Sequence, residues 1–488
     1  MAHHRALLWL IFIAAFSIRV YYSLTSPHFF DYESYSVLNT LMQIERTKSF
    51  VYQPGIINPP SSVFVLPVFY LLFSGFHLAG EMLAVKLLTA LISSCLAFVV
   101  YLIANKLTKK NYIKLIATGF AVFSPGFLAL TTNMLRIGNL TVPLFFLVIL
   151  LVIKVEKNKA NMPWLILTSL LLVLTSKSSL LLLVTLALYF LLLKLQSKQV
   201  LLRESDFALF LTFFIYLMIY AISLTELRGQ LFFSEWANRQ TISFAETISR
   251  VSVPILLLGV YGHYVSQKSN PSRQQTLMFA ITLAILLLLS FGILDVVSAL
   301  AFLSVNMSIA SVNSLEALVS YLKKFRLASL SKLAILSSLV LICAIVAATS
   351  AYQLKSISKE IPNYQIQALQ WLGNNYKDNS TLLIPANMGD LAEYYAKKRV
   401  VLDPRSLHNL ILADRLQDIE KAYKSIYETE ALEVLNKYNI SYIFFDPIVS
   451  KQTGVAKLRY TDDEKCFELI YNQTASIYRV KCVLKPLQ

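Results

Sequence analysis

The sequence predicts a polytopic α-helical membrane protein with about eleven transmembrane helices and a soluble α/β domain at its C-terminal end. Three observations lead to this fold class. Of the 488 residues, 56% are hydrophobic and only 15% are charged, an apolar share well above that of soluble globular proteins. Apolar runs of about 17 to 25 residues, long enough for a helix to cross a bilayer, recur along the chain. After residue 355 they give way to the helical and strand patterns of a soluble domain.

The apolar runs define the transmembrane domain, for which we expect residues 1–354. The run nearest the N-terminus is interpreted as an uncleaved helix, because no small-residue cleavage pattern follows it. Two short neighbouring runs are expected to be broken helices that meet at Lys177. The predicted spans are residues 6–22, 83–104, 115–131, 140–153, 163–176, 179–193, 206–223, 250–266, 275–290, 296–320 and 332–351.

The charge of the connecting loops predicts the orientation. With a cytoplasmic N-terminus, the cytoplasmic segments hold about 17 Lys and Arg residues against about 7 in the outer loops, as the positive-inside rule expects. This orientation places the C-terminal domain outside the cytoplasm. Residues 62–76 are apolar but short. If they crossed the membrane, every later loop would change side and the charge bias of the loops would be reversed. We therefore expect an interfacial or re-entrant helix within the first outer loop, residues 23–82.

The C-terminal domain, residues 355–488, holds 18 basic and 16 acidic residues. The net charge of +16 therefore lies mainly in the membrane part, where it is a topology signal and does not indicate nucleic-acid binding. The pattern predicts helices at 363–376, 388–398 and within 405–438, strands at STLLIP, RVVLD and SYIFFD, and a closing hairpin of FELIY with SIYRV.

Four cysteines divide into two classes. Cys466 and Cys482 bracket the predicted hairpin and fall opposite each other, so a disulfide is expected on the outer side. Two unpaired thiols at these positions remain compatible with the sequence. Cys95 and Cys343 lie in apolar spans, where a thiol most often packs as a small apolar side chain.

The first outer loop carries the acidic candidates. Asp31 and Glu33 lie in the aromatic segment FFDYESY, just after the first predicted helix. A carboxylate near the bilayer surface is partly desolvated, which suits proton abstraction from a hydroxyl or capture of a divalent metal. Ordinary surface acids or helix caps are the alternative.

Basic residues stand at the outer ends of three helices, namely Lys86, Arg136 and Lys177. Their position opposes the orientation bias and requires a local reason. The phosphate or pyrophosphate of a lipid in the outer leaflet supplies one, because Arg binds phosphate oxygens in a bidentate fork and Lys as a point charge. Snorkelling to headgroups without a specific site is the alternative.

Together these segments resemble the GT-C superfamily of membrane glycosyltransferases, especially relatives of the dolichyl-phosphate-mannose protein mannosyltransferases and archaeal oligosaccharyltransferases. The resemblance touches most of the chain. Its motifs are the first helix with Arg19, DYESY, INPPSSVFVLPVFYLLFSGF, Lys86, FSPGFLALTTNMLRIGNL, LTSKSSLLLL, LLIPANMGDLAEYYAKKRVVLDPRS and NISYIFFDP.

The resemblance implies inverting transfer of a hexose from a polyprenyl (dolichyl) phosphate donor to a protein or glycolipid acceptor at the outer membrane face. Asp31, with Glu33 beside it, would supply the catalytic carboxylate. Lys86, Arg136 and Lys177 would bind the donor phosphate. Asp31 would act either as the general base or as a ligand that helps to hold a metal. A need for a metal stays open; where a divalent ion such as Mg²⁺ or Mn²⁺ is present, Asp31 and Asn139 are its candidate ligands, with Asn139 the weaker one.

The chain also departs from the superfamily pattern. Asn139 stands where the second outer loop often has an acid. Asp295, near the outer end of a later span, is a candidate for a second acid, although a lone Asp at a helix end is more often a cap. The WWDYG signature of oligosaccharyltransferases is replaced by PANMGD, so transfer of a preassembled glycan to Asn is not the expected activity.

Two other functions stay open. One is a transporter or lipid-linked-sugar flippase, although no internal repeat is visible. The other is a catalytically silent relative that binds a lipid-linked sugar or a partner protein.

Overall fold

The chain forms two compact units in a computed structural model. The first, called the membrane unit, contains the described residues of Met1–Phe29, Leu66–Ile222 and Arg239–Ser358. The second, called the α/β unit, contains those of Phe30–Val65 and Lys359–Gln488. The structure describes residues 2–52, 55–56, 63–77, 82–155, 158–196, 244–268, 271–322, 328–358, 361–403 and 413–483.

The membrane unit is helical in the part that the structure describes, and the predicted fold class is confirmed. Seven helical segments there are long and apolar enough to cross a bilayer, and one bent pair would make an eighth. Its helices are Ala2–Thr25, Pro67–His77, Met82–Ser94, Leu96–Leu107, Asn111–Phe123, Pro125–Thr131, Gly138–Val155, Met162–Val173, Leu180–Leu195, Phe244–Val251, Val253–Lys268, Arg273–Ser290, Val296–Leu322 and Ala328–Ile357.

Most predicted spans coincide with these helices. The span 206–223 lies outside the described residues. Met162–Val173 and Val253–Lys268 have 12 and 16 residues, fewer than the roughly 20 that cross a bilayer without help from neighbouring segments. The apolar piece predicted at 62–76 is a helix of 11 residues, Pro67–His77, preceded by a short strand that the pattern did not indicate.

A bend of 48° separates the helix Asn111–Phe123 from the helix Pro125–Thr131. Proline has no N–H to donate, and the bend separates the last carbonyls of the first helix from the N–H groups that would follow. Each released carbonyl accepts from a side chain instead. That of Ala121 accepts from Ser124 Oγ at 3.0 Å, that of Val122 from Arg19 Nη2 at 3.2 Å, and that of Phe123 from Ser350 Oγ.

The α/β unit is built on a mixed sheet of five strands. Its strand order is β4-β3-β5-β7-β6, with β3 parallel to β4 and β5, and β7 antiparallel to β5 and β6. Strands β1 and β2 form a separate antiparallel pair. The strands are β1 Val51–Tyr52, β2 Val63–Phe64, β3 Thr381–Leu383, β4 Arg399–Val400, β5 Ile440–Phe445, β6 Phe467–Asn472 and β7 Ser476–Val480.

Six helices complete the described part of this unit. The helix at Pro447–Thr453 was missed by the sequence analysis, although Asp446 followed by a proline is a helix-start signal and its carboxylate accepts from the Val449 N–H at 2.7 Å. The helices are Tyr32–Thr47, Asn363–Asn375, Gly389–Ala396, Ala413–Lys424, Glu428–Lys437 and Pro447–Thr453.

Part of the first outer loop packs into the α/β unit. The helix Tyr32–Thr47, called the loop helix below, contacts the helix Gly389–Ala396. Further along the loop, Ile56 bridges to Val400, whose N–H donates to Gly55 O at 3.2 Å. Residues separated by more than 300 positions therefore share one core.

Cys466 and Cys482 form a disulfide with their Cα atoms 4.7 Å apart. It ties the outermost strand β6 to the end of β7, beside the hydrogen bond from Lys481 N to Cys466 O at 2.8 Å. The bond therefore closes the hairpin at its open end.

We expect the paired substitution Cys466→Ala with Cys482→Ala to lower the free energy of unfolding of the α/β unit by about 3 kcal/mol, because the crosslink restricts the unfolded chain. Pulse proteolysis in urea on the full chain measures this. Cys95→Ala with Cys343→Ala, which removes the two free thiols, is the matched control. An unchanged urea midpoint in the first pair would contradict the prediction.

Candidate functional site

Asp31 occupies the position just before the loop helix. Its backbone is extended (φ −125°, ψ 154°) and its side chain is fully buried. The Ser34 hydroxyl, one turn into the helix, donates to Asp31 Oδ1. The positive end of the helix dipole favours a carboxylate at this point. Glu33, by contrast, is exposed on the first turn, so the two acids predicted as a catalytic pair have different surroundings.

One face of the loop helix is attached to the helix Gly389–Ala396. Tyr35 places its hydroxyl 3.1 Å from that of Tyr395 and its ring 5.3 Å from that of Tyr394. Asn39 Nδ2 donates to Asp390 O at 2.9 Å. Residues 35 and 39 are four apart and share a helix face. Sequence reasoning did not find these anchors, because each partner lies about 350 residues away.

Lys86 is buried in the membrane unit. Its ammonium donates to the carbonyls of Ser26 at 2.8 Å, His28 at 3.1 Å and Ser23 at 3.5 Å, and it lies 5.2 Å from the centre of the Phe29 ring. Lys86 thus donates to one carbonyl in the last turn of the first helix and to two carbonyls just after that helix ends. Burial, and next the charge of Lys86, lower the pKa of His28, so a neutral imidazole is favoured.

The second outer segment, residues 131–139, contains Arg136 and Asn139. Arg136 is half-buried, whereas Asn139 is fully buried and donates through Nδ2 to Met134 O at 2.6 Å. Asn133 adopts a left-handed backbone (φ 50°) and donates through Nδ2 to His28 O at 2.8 Å. The carbonyl of His28 therefore accepts from both Asn133 and Lys86.

The buried oxygens of this segment fit the divalent metal for which the resemblance gives Asp31 and Asn139 as candidate ligands. Among the described residues, Asn133 Oδ1, Asn139 Oδ1 and Thr132 Oγ1 are buried without a hydrogen-bond partner. Because Met134 O and His28 O can only accept, the two amide oxygens must point away from them. Oxygen ligands of this kind suit Mg²⁺ or Mn²⁺, so Asn139 fits the predicted role. Asp31 fits by its chemistry, but it belongs to the other unit.

The group of side chains with metal-ligand spacing in the described residues comprises Glu428, Cys466 and Cys482. Both sulfurs are committed to the disulfide, so this group does not fit a metal ion. Asp295 caps its helix through the Ser298 N–H at 2.9 Å, which agrees with the cap alternative.

Lys177 lies at a helix break, as the short apolar runs predict. It begins a 3-10 turn, Lys177–Ser179, between Met162–Val173 and Leu180–Leu195, and Ser176 Oγ caps this turn by accepting from Ser178 N at 3.1 Å. The exposed side chain of Lys177 contrasts with buried Lys86. The carbonyl of Leu174, just before the break, accepts from Val68 N at 3.2 Å, which attaches the short helix Pro67–His77 here.

Arg19 is a further functional candidate, whose role the sequence left unassigned. Its fully buried guanidinium donates to Thr131 Oγ1 at 3.0 Å and to the carbonyls of Ala15 and Val122. It therefore links the first helix to the start of the segment that carries Arg136 and Asn139. An Arg inside an apolar span is the sequence signal that points to such a role.

We expect Lys86→Met to lower the free energy of unfolding of the membrane unit by about 1.5 to 3 kcal/mol, because three carbonyls lose a charged donor. Thermal unfolding of the full chain in detergent measures the change, with exposed Lys109→Met as control. Unchanged stability combined with weakened binding of dolichyl phosphate would instead assign Lys86 to the donor phosphate.

Comparisons with known proteins extend the picture. No protein-family model matches the chain, and no curated protein matches it in sequence. The chain is similar in structure to the oligosaccharyltransferase of Archaeoglobus fulgidus in the apo form, with a TM-score of 0.72 and 12% identity, covering 95% of this chain and 72% of that one.

Two other solved structures are similar. ArnT from Cupriavidus metallidurans in the apo state matches with a TM-score of 0.59 and 11% identity, over 96% of this chain and 97% of that one. The arabinofuranosyltransferase AftD from Mycobacteria matches with a TM-score of 0.56 and 13% identity, over 96% of this chain and 40% of that one. The chain therefore has the fold of the GT-C membrane glycosyltransferases, as the sequence resemblance predicted.

Proposed function

We propose that this protein is a membrane glycosyltransferase that moves a hexose, with inversion, from a polyprenyl-phosphate donor to an acceptor at the outer membrane face. The observation that carries the proposal is the buried carboxylate of Asp31 at the start of the loop helix, in a chain with this fold. Solved relatives of the same fold include an archaeal oligosaccharyltransferase with an inhibitory peptide and a dolichol-phosphate. Another is ArnT bound to undecaprenyl phosphate.

The reaction requires a base and fixed positive charge. An acceptor hydroxyl attacks the anomeric carbon from the face opposite the phosphate, its proton passes to Asp31, and the bond from that carbon to the phosphate oxygen breaks. The leaving phosphate keeps the electron pair, and Arg136 and Lys177 stabilise its negative charge. Asn139, whose buried Oδ1 has no hydrogen-bond partner, would supply an oxygen ligand to a divalent cation, which would neutralise phosphate charge as a Lewis acid.

The proposed donor class is supported by two of these residues. Arg136 supplies planar donors for phosphate oxygens, and exposed Lys177 at the helix break supplies a second charge. A protein or glycolipid acceptor is proposed. PANMGD stands where the oligosaccharyltransferase signature is found, and we therefore favour transfer of a single sugar. The C-terminal domain is proposed to lie outside the cytoplasm, as the charge bias of the loops indicates.

We expect Asp31→Asn to reduce sugar transfer by about 10² to 10⁴-fold, because an amide cannot accept the proton. Exposed Glu33→Gln should have a smaller effect. Membranes that contain the full chain are incubated with dolichyl-phosphate [¹⁴C]mannose or [¹⁴C]glucose, and transferred label is counted. Glu45→Gln, near the other end of the loop helix, is the control. Wild-type transfer by Asp31→Asn would exclude the proposed base.

We expect Arg136→Ala to raise the KM for the donor by about tenfold or more, since a charge-assisted contact with phosphate is lost. Arg136→Lys should recover part of this loss because it keeps the charge without the bidentate fork. Lys177→Met should act in the same direction. The assay varies dolichyl-phosphate [¹⁴C]mannose in membranes, with exposed Arg5→Ala as control. A normal KM in all of these variants would place the phosphate elsewhere.

A further inference from the structure

Gln365 lies at the centre of a buried polar chain in the α/β unit. It is fully buried on the helix Asn363–Asn375. Its Oε1 accepts from the Tyr32 hydroxyl at 2.9 Å, and its Nε2 donates to Asp446 Oδ2 at 2.6 Å. A carboxylate can only accept, so the chemistry fixes the orientation of the amide. One side chain thus joins the loop helix to the end of strand β5.

At one end of this hydrogen-bonded chain, Asp446 is held by several hydrogen bonds. Asp446 follows β5 directly and caps the helix Pro447–Thr453, where its Oδ1 accepts from Val449 N at 2.7 Å. The Tyr364 hydroxyl also donates to the Asp446 carboxylate, and burial together with this charge raises the pKa of Tyr364 to about 12. A nearly buried carboxylate with several donors is costly to displace. Gln365 is therefore held in one position, from which it accepts the hydrogen bond of Tyr32.

At its other end, this hydrogen-bonded chain reaches Tyr32, which lies next to Asp31 in the sequence. Tyr32 is the first residue of the loop helix and directly follows Asp31. Its bond to Gln365 fixes where the helix begins, while Tyr35 and Asn39 attach the following turns to the helix Gly389–Ala396. Loss of this bond would weaken the attachment of the start of the loop helix and, with it, that of the backbone that carries Asp31.

We propose that Gln365 is a positioning residue, which holds the carboxylate of Asp31 in place through the hydrogen-bonded chain Tyr32–Gln365–Asp446. This inference rests on the proposed function, in which Asp31 is the base. Displacement of a catalytic group by about 1 Å costs on the order of 100-fold in rate. The soluble domain therefore takes part in catalysis by fixing the loop helix, although Gln365 does not touch the substrate.

The first test measures the anchor without any substrate. Gln365→Met keeps the side-chain length and removes both polar atoms, while Gln367→Met, two residues along the same helix and exposed, is the matched control. We expect amide hydrogens of the first turns of the loop helix to exchange about tenfold faster in Gln365→Met, measured by mass spectrometry on the full chain in nanodiscs. Tyr32→Phe, a milder change, should act alike. Wild-type exchange in both variants would overturn the proposal.

The second test separates positioning from general stability. With dolichyl-phosphate [¹⁴C]mannose as donor, Gln365→Met and Tyr32→Phe should each lower kcat by about tenfold or more and leave the donor KM unchanged. The kcat of the double variant should fall no further than that of the more impaired single variant, since both substitutions act through the same hydrogen-bonded chain. A kcat at the wild-type level in Gln365→Met, beside an inactive Asp31→Asn, would overturn this inference alone. Full transfer by Asp31→Asn would overturn the proposed function, and the exchange result would still report on the anchor.

Discussion

Backbone carbonyls without water are the constraint on which the membrane unit depends. In a bilayer every such group needs a donor from the protein. The bend before Pro125 releases three carbonyls, and Ser124, Arg19 and Ser350 satisfy them. A charged guanidinium in the apolar interior is costly by itself. Here it becomes tolerable because the bend supplies acceptors that would otherwise be unsatisfied, so the buried charge and the helix break stabilise each other.

The same constraint determines how the chain leaves the first helix. Lys86 satisfies the carbonyls at its end, and the carbonyl of His28 accepts from both Lys86 and Asn133. In the membrane unit the chain is therefore fixed up to the residues just before Asp31. Within the α/β unit, the chain from Asp31 onward is fixed by the loop helix and its buried anchors. Each unit, taken by itself, therefore fixes the stretch of backbone next to Asp31 that it contains.

The sequence predicted what depends on local pattern. Apolar length gave most spans, and the break at Lys177 followed from two runs that were each too short. It could not predict the packing of the first loop against the C-terminal domain, because contacts such as those of Tyr32 with Gln365 join positions more than 300 residues apart. Nor could it separate Asp31 from Glu33, since burial of one and exposure of the other depend on tertiary packing. The helix that begins after Asp446 is different, because an Asp followed by a proline is a local helix-start signal, and the sequence analysis missed it.

Three basic residues that look equivalent in the sequence differ in what surrounds them. The ammonium of Lys86 has three protons, and three backbone carbonyls accept from it. A phosphate bound at Lys86 would compete with these three acceptors for the ammonium protons, which offsets part of the gain. Arg136 is half-buried in the second outer segment, and Lys177 is exposed at a helix break. Lys86 therefore stabilises the backbone that leads to Asp31, a structural role that the sequence alone does not distinguish from binding of a donor phosphate.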